Sequence, residues 1–497
     1  MTNQPIEKIV IAGGGTAGWM AAAAITRHFG KILQVTLVES DAIPTVGVGE
    51  STIPTLHLFH DLLKISEAEF MSATNATFKL GINFENWRDV EKDYFHSFGS
   101  LGKDCWACGF HHFWIKGMQE GIASELGDYC PEHLAARKHS FAVNPKQNRK
   151  YAYHIDAGRY AKFLRNMAEQ SGLKRVEGKI NRVELDQANG YIRKLHLESG
   201  DVVEGDLFID CTGFSALLME KALHTGFENW SHWLPCDAAI AVQTDVTQHV
   251  PYTRAIAREN GWQWRIPLQT RTGNGLVFCS KYWDENQAKE ALLNNIVGNP
   301  INEPRVIRYQ TGTRRKHWNK NCIALGLSSG FIEPLESTSI HLIQQGIVRL
   351  LKLLPSKEME PAKVNKFNDQ MRYEMENIRD FIVLHYHVTE RSDTEFWRYC
   401  KGMEIPDTLA ERIALFKQSA HVYKLEAELF GDPSWVQVMV GQGIMPEKYH
   451  RIVDMMDKEE LNYFLSKIRD SIASGVSNLP NHMDFINRYC RATDKVS

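Results

Sequence analysis

A chain of 497 residues, 43% hydrophobic and 24% charged, has the composition of an ordinary folded protein, long enough for roughly two to four domain-sized units. Its formal net charge of -3 leaves no basic footprint for nucleic acid, and no run of about 18 apolar residues could span a membrane. Nine cysteines at irregular spacing argue against a disulfide framework, and MTNQPIEKIVIAGGG lacks the pattern of a secretory leader, so a cytoplasmic location is expected.

The chain opens as α/β. KIVIA (8–12) reads as a short buried strand, MAAAAITRHF as a helix, and QVTLVES (34–40) as a second strand. Between the first strand and the helix, Gly13, Gly15 and Gly18 form GxGxxG around Thr16 and Ala17. Glu39 closes the second strand. The glycines allow a tight turn and close approach of a pyrophosphate, the helix start supplies free N–H groups, and the acid can bind ribose hydroxyls. A lone GxGxxG is weak evidence. In this strand–loop–helix–strand–acid order it points to a dinucleotide, since a plain glycine turn would not account for the acid.

In ATFKLGINFENW (76–87), Phe78, Leu80, Ile82 and Phe84 alternate with the period of a half-buried strand. That places Lys79 on the opposite face, with Gly81, Asn83 and Glu85. Alternation alone leaves open whether Lys79 meets water or a closed chamber. Further on, CWACGFHH holds Cys105, Cys108, His111 and His112, half of a structural zinc set. Such a set needs four ligands, and no second pair follows at finger spacing, so no metal is expected.

From about 150 to 310, strand-like runs dominate. One of them, GDLFIDCTGF (205–214), runs into Asp210, Thr212 and Gly213. It resembles the second FAD contact of glutathione-reductase-type flavoproteins. No second GxGxxG with a downstream acid is present, so electrons for the flavin are expected from a separate protein. After about 338 the pattern turns helical, with Ile340, Ile343, Ile347, Leu350, Leu351 and Leu354 at a 3.6 period and a second helical run at 363–386. The expected fold is mixed α/β: a glutathione-reductase-type FAD-binding fold with an inserted antiparallel sheet and a helical C-terminal part. Its expected division is a core of residues 1–355, interleaved with a substrate-side sheet, and a mainly helical subdomain at 356–497.

Five stretches together carry a family resemblance: GGGTAGW, VGVGEST (46–52), FKLGINFENW (78–87), GWQWRIP (261–267) and GLSSGFIEPLESTSI (326–340). The chain resembles the flavin-dependent tryptophan halogenases from residue 8 to about 450, and the Trp-x-Trp-x-Ile-Pro signature matches in full at Trp262, Trp264, Ile266 and Pro267. In that family, FADH2 and oxygen convert bound halide to hypohalous acid, which passes through a tunnel to a lysine beside an aromatic substrate. The resemblance implies Lys79 as that lysine and Glu336 as the assisting glutamate. It implies Gly49, Glu50 and Ser51 in a strap along the flavin, with Asp210, Gly213 and Ile340 as further cofactor contacts. The amides of Thr338 and Ser339 would hold chloride or bromide, at a helix start that favours a small anion in any case. Here the motif reads ESTS where the tryptophan enzymes commonly read ESTG, which puts halide affinity in question through the lost glycine. Trp262, Trp264, Ile266 and Pro267 would wall the tunnel and separate flavin from substrate, although two such tryptophans also suit a core.

His96 and Phe98 match the pair that sandwiches indole, against the plainer reading of an edge-strand histidine and a core phenylalanine. Only about 20 residues, QSAHVYKLEAELFGDPSWVQ, stand where the tryptophan enzymes carry a longer, tyrosine-bearing lid, with Trp435 as one remaining wall. The resemblance thus implies an indole or other electron-rich aromatic rather than free tryptophan, a separate NAD(P)H-dependent flavin reductase and, by analogy, a homodimer. Two alternatives stay open: an FAD monooxygenase hydroxylating an aromatic, and a non-catalytic flavin-binding protein.

Overall fold

The structure is a computed structural model and describes residues 4–43, 49–143, 150–246, 248–424 and 428–493. β1 (Lys8–Ala12) is buried beyond Lys8 and lies parallel between β2 (Gln34–Glu39) and the Leu207–Asp210 strand. Short strands that are apolar on both faces need cover on both sides, which a parallel layer flanked by helices provides. The sheet has six strands, completed by Lys174–Glu177 at one edge and by Cys322–Ala324 and Trp318–Asn319 at the other. Helix α1 (Thr16–Phe29) buries Trp19 to Thr26 without a break. Its alanines let it lie close to the sheet, the Ala157–Gln170 helix and the Ser339–Lys352 helix.

A three-stranded sheet leads out of this layer. In it β7 (Ala152–Asp156) runs antiparallel between β3 (Gly49–Ser51) and β4 (Thr77–Lys79). The chain then enters a seven-stranded sheet through β5 (Gly81–Glu85) and β6 (Tyr94–Ser97). Its other strands are Thr253–Arg258, Gly261–Pro267, Thr272–Phe278, Ala238–Thr244 and Arg305–Arg308, antiparallel except where Thr253–Arg258 meets β5. Beyond Phe331 the described residues form helices and no strand, including Pro361–His387, Asp407–Ser419, Asp432–Gly441 and Lys458–Ser477. No helix among the described residues is long and apolar enough to cross a membrane. The architecture is thus mixed α/β, with an antiparallel sheet inserted between the dinucleotide layer and the C-terminal helices.

The alternation in 78–84 does not make a single strand. Leu80 donates its N–H to the Pro251 carbonyl and accepts from the Phe98 N–H, which carries the chain from the small sheet to the large one. Lys79 is fully buried like Phe78, Ile82 and Phe84, and Asn83 and Glu85 are half-buried, so neither face of the stretch is fully solvated. Period-2 patterning assumes one wet face, and packing on both sides removes that assumption.

Candidate active site

The glycine loop is built for close approach. Gly13 sits at φ +107°, and a side chain there would meet the Cys211 carbonyl at 2.3 Å. A side chain on Gly18 would come within 1.9 Å of the Gly13 carbonyl oxygen, whereas one on Gly15 would meet nothing within 4 Å. The open position is therefore Gly15, the N-cap of α1, which has no side-chain cap and no acid in the first turn. Unpaired N–H groups beside open space fit a pyrophosphate. Glu39 Oε2 lies against Gly14, and Oε1 accepts from Arg175 Nε at 2.7 Å, fixing the acid beside the loop. These features fit an FAD.

Asp210, a cofactor contact by the resemblance, is engaged within its own chain. Its carboxylate accepts from the N–H and hydroxyl of Thr212 (2.9 and 2.7 Å) and from the N–H groups of Leu218 and Met219 (2.9 and 2.8 Å). Saturated by its own chain, it shapes the turn that leaves Gly213 at φ +70° with open space beside it. The strap segment VGVGEST is described only from Gly49 onward; residues 46–48 lie outside the described range. Gly49 packs against Gly273 and Ile266, so the strap strand touches the Trp-x-Trp-x-Ile-Pro strand directly. The half-buried Glu50 carboxyl is pushed up to about 7, by burial and then by the charge of Asp156. Ser51 gives its hydroxyl to a hydrogen bond with Thr253 (2.9 Å). Ile340 is buried in the first turn of its helix, which packs on α1.

Lys79 is fully buried. Its Nζ donates to the Thr52 carbonyl at 3.1 Å and to Ser337 Oγ at 2.9 Å, and sits 4.9 Å from the centre of the half-buried Phe98 ring. Burial lowers its pKa to about 7, against an opposing pull from Glu336. Glu336, also fully buried, has both oxygens 2.9 Å from His96 Nδ1 and Oε1 a further 2.9 Å from His385 Nε2. Burial alone would raise this carboxyl, but the two imidazoles outweigh it and hold it below the usual carboxylate range. Tyr94 Oη fixes His385 in turn, 2.6 Å from its Nδ1. His96 therefore holds the glutamate first, and only its Nε2 is without a partner among the described residues.

Ser337 adopts a left-handed φ of +60°, and the helix starts at Ser339 behind Thr338, with no side-chain cap and no acid in the first turn. Of the EST run it is Ser337 that takes the positive φ, so a serine at 339 meets no conformational penalty. Trp262, Trp264 and Ile266 are buried, and Pro267 ends their strand. Trp262 donates its indole N–H to Glu333 Oε2 at 2.9 Å. Trp435 is buried between the Arg412 guanidinium, 4.1 Å from its ring, and the edge of Phe381 at 4.8 Å. Phe381 stacks on Phe430 at 3.8 Å, and both lie near His96. Arg412 pairs with Glu428 at 2.7 Å, both buried.

Sequence reasoning missed His385, Tyr94, Phe381, Phe430 and Glu333, and it read Ser337 only as a candidate helix cap, not as a partner of Lys79. Only Ser337 and Glu333 carried a signal, as members of the same EPLEST block as Glu336.

The family model for tryptophan halogenase matches residues 8–458. The 7-chloro-L-tryptophan 6-halogenase KtzR of Kutzneria sp. (strain 744) is 34% identical, over 97% of this chain and 99% of the relative. A flavin-dependent halogenase from Xanthomonas campestris is 51% identical with a TM-score of 0.98, over 99% of this chain and 100% of that one. Another from Brevundimonas sp. BAL3 is 43% identical with a TM-score of 0.93, over 97% and 99%. These relatives are halogenases rather than hydroxylases or sensors, and the matches run over nearly the whole chain. The chain belongs to the tryptophan halogenase family and is an FADH2-dependent halogenase, an oxidoreductase that uses FAD and a halide.

Proposed function

We propose that this halogenase places halogen on indole or a similar electron-rich aromatic rather than on free tryptophan, with Lys79 presenting the oxidant and Glu336 taking the ring proton. The observation that supports it most is the sealed Lys79, bonded to Ser337 next to a Glu336 held by two imidazoles. Gly13, Gly15, Thr16, Ala17, Gly18, Glu39, Gly49, Glu50, Ser51, Gly213 and Ile340 form the bed for FADH2, which supplies, with oxygen, the oxidising power that turns halide into hypohalous acid. The amides of Thr338 and Ser339 hold the halide. Trp262, Trp264, Ile266 and Pro267 keep the aromatic away from the flavin.

The chemistry of this chain's residues then follows. An ammonium at Lys79 has three N–H groups, and Thr52 and Ser337 take two. The third donates to the oxygen of hypohalous acid, which weakens the oxygen–halogen bond. The aromatic carbon attacks the halogen as the oxygen–halogen bond breaks, and the oxygen takes the Lys79 proton and leaves as water. Glu336, ionised by its two imidazoles, accepts the ring hydrogen as aromaticity returns. His96, Phe98, Phe381, Phe430 and Trp435 form the aromatic walls. The charged groups beside Trp435, Arg412 and Glu428, neutralise each other instead of facing an amino acid's ammonium and carboxylate.

We further place the protein in the cytoplasm, served by a separate NAD(P)H-dependent flavin reductase, as a homodimer with a core of residues 1–355 and a helical subdomain at 356–497. Product mass spectrometry with indole and tryptophan offered together tests the substrate reading. Haloindole as the main product is expected; preferential halogenation of tryptophan overturns it.

A further inference from the structure

His154 lies at the centre of β7, fully buried, where the strap strand, the lysine strand and the seven-stranded sheet meet. Nδ1 is 2.9 Å from Thr77 Oγ1, and Nε2 is 2.9 Å from Thr253 Oγ1. Thr253 Oγ1 is in turn 2.9 Å from Ser51 Oγ. Thr77 Oγ1 lies 2.6 Å from the Pro267 carbonyl oxygen, the last residue of the Trp-x-Trp-x-Ile-Pro strand.

With the ring neutral, these contacts fix the direction of every hydrogen bond. A carbonyl only accepts, so the single Thr77 hydroxyl hydrogen goes to Pro267. Toward His154, Thr77 must then accept, which puts a hydrogen on Nδ1. Burial, with Lys79 on β4 and His482 on the His482–Tyr489 helix both nearby, drives the imidazole well below its usual pKa, so the ring is neutral. Nε2 is therefore an acceptor, Thr253 donates to it, and Ser51 donates to Thr253. The chain runs one way, from Ser51 through Thr253, His154 and Thr77 to Pro267.

We propose that His154, as the neutral Nδ1–H tautomer, is a positioning residue that locks the flavin strap at Ser51, the lysine strand at Thr77 and the tunnel strand at Pro267 into one arrangement, so that oxidant made on the flavin side reaches Lys79. The proposal rests on the roles given above to the strap, Lys79 and the tunnel strand. Its geometry explains why a polar chain crosses a buried junction of three sheet segments. Each hydroxyl has a single hydrogen to give, and a half-satisfied network there would cost more than an apolar one. A neutral ring also keeps a second cation away from Lys79.

Two measurements test it. In protein labelled with 15N-histidine, with His154→Phe assigning the signal, solid-state NMR should show a protonated Nδ1 and a bare Nε2, unchanged between roughly pH 6 and 9. A proton on Nε2, or titration in that range, overturns the proposal without reference to activity. In turnover with bromide, indole and reduced FAD, His154→Phe should lower bromoindole formed per FADH2 oxidised by about tenfold, since misplacement of that order disrupts transfer more than binding. The KM for indole should stay put, and His154→Gln, which can donate and accept, should recover much of the yield. An unchanged yield in His154→Phe, or His154→Gln no better than it, contradicts the role. If His154→Phe does not fold, the wild-type tautomer compared with folded His154→Gln decides. Wild-type protein that makes no halogenated aromatic fails the proposed function, while the NMR result still judges the hydrogen-bond chain.

Discussion

At the scale of single residues, the site turns on opposite shifts in two buried groups. Lys79 falls to about 7 because burial disfavours its charge, whereas Glu336 is held ionised by His96 and His385. The sign of the pH dependence follows. A lowered lysine pKa means that the ammonium is present below about 7 and lost as pH rises through it. If the ammonium is the working form, the chemical step in single-turnover halogenation declines above about pH 7, with no acid limb from Glu336 near neutrality. A rate that rises through the same range would instead assign the work to the neutral amine. The Arg412–Glu428 pair makes a second prediction. Arg412→Leu leaves a buried carboxylate without its partner and should cost about 3–5 kcal/mol in denaturant unfolding, most of it recovered in Arg412→Leu/Glu428→Leu. Equal losses in the single and double variants would show that the guanidinium acts by packing on Trp435 instead.

At the scale of elements, the glycine loop and the start of the Ser339 helix are the proposed cofactor and halide sites, both helix starts without side-chain caps. Gly18→Ala drives a methyl into the Gly13 carbonyl and should weaken FAD binding by at least about tenfold, or about 1.4 kcal/mol, in a fluorescence titration. Gly475→Ala, with nothing within 4 Å, should leave it unchanged. The same comparison shows what sequence can carry. The loop and Glu39 were legible because their spacing has a physical purpose, Lys79 and Glu336 only through the family resemblance. The break at Leu80, the self-capping of Asp210 and the engagement of His96 were not. Each depends on partners distant in the chain or on packing of both faces, as with His96 and Glu336, 240 residues apart. His385 occupies an unremarkable place in a long helix, and only the fold brings it to the carboxylate.

At the scale of the whole molecule, a parallel dinucleotide layer and an antiparallel sheet meet at the small β3–β7–β4 sheet, with Lys79 at its end. As proposed above, this junction delivers oxidant to the buried Lys79 rather than releasing it. The direct test is Lys79→Ala, supplied with reduced FAD, oxygen, bromide and indole and compared with wild type for flavin oxidation and for the bromine isotope doublet in the product. Flavin oxidation at the wild-type rate and no bromoindole are expected. Bromoindole formed by the variant at the wild-type yield would contradict that delivery.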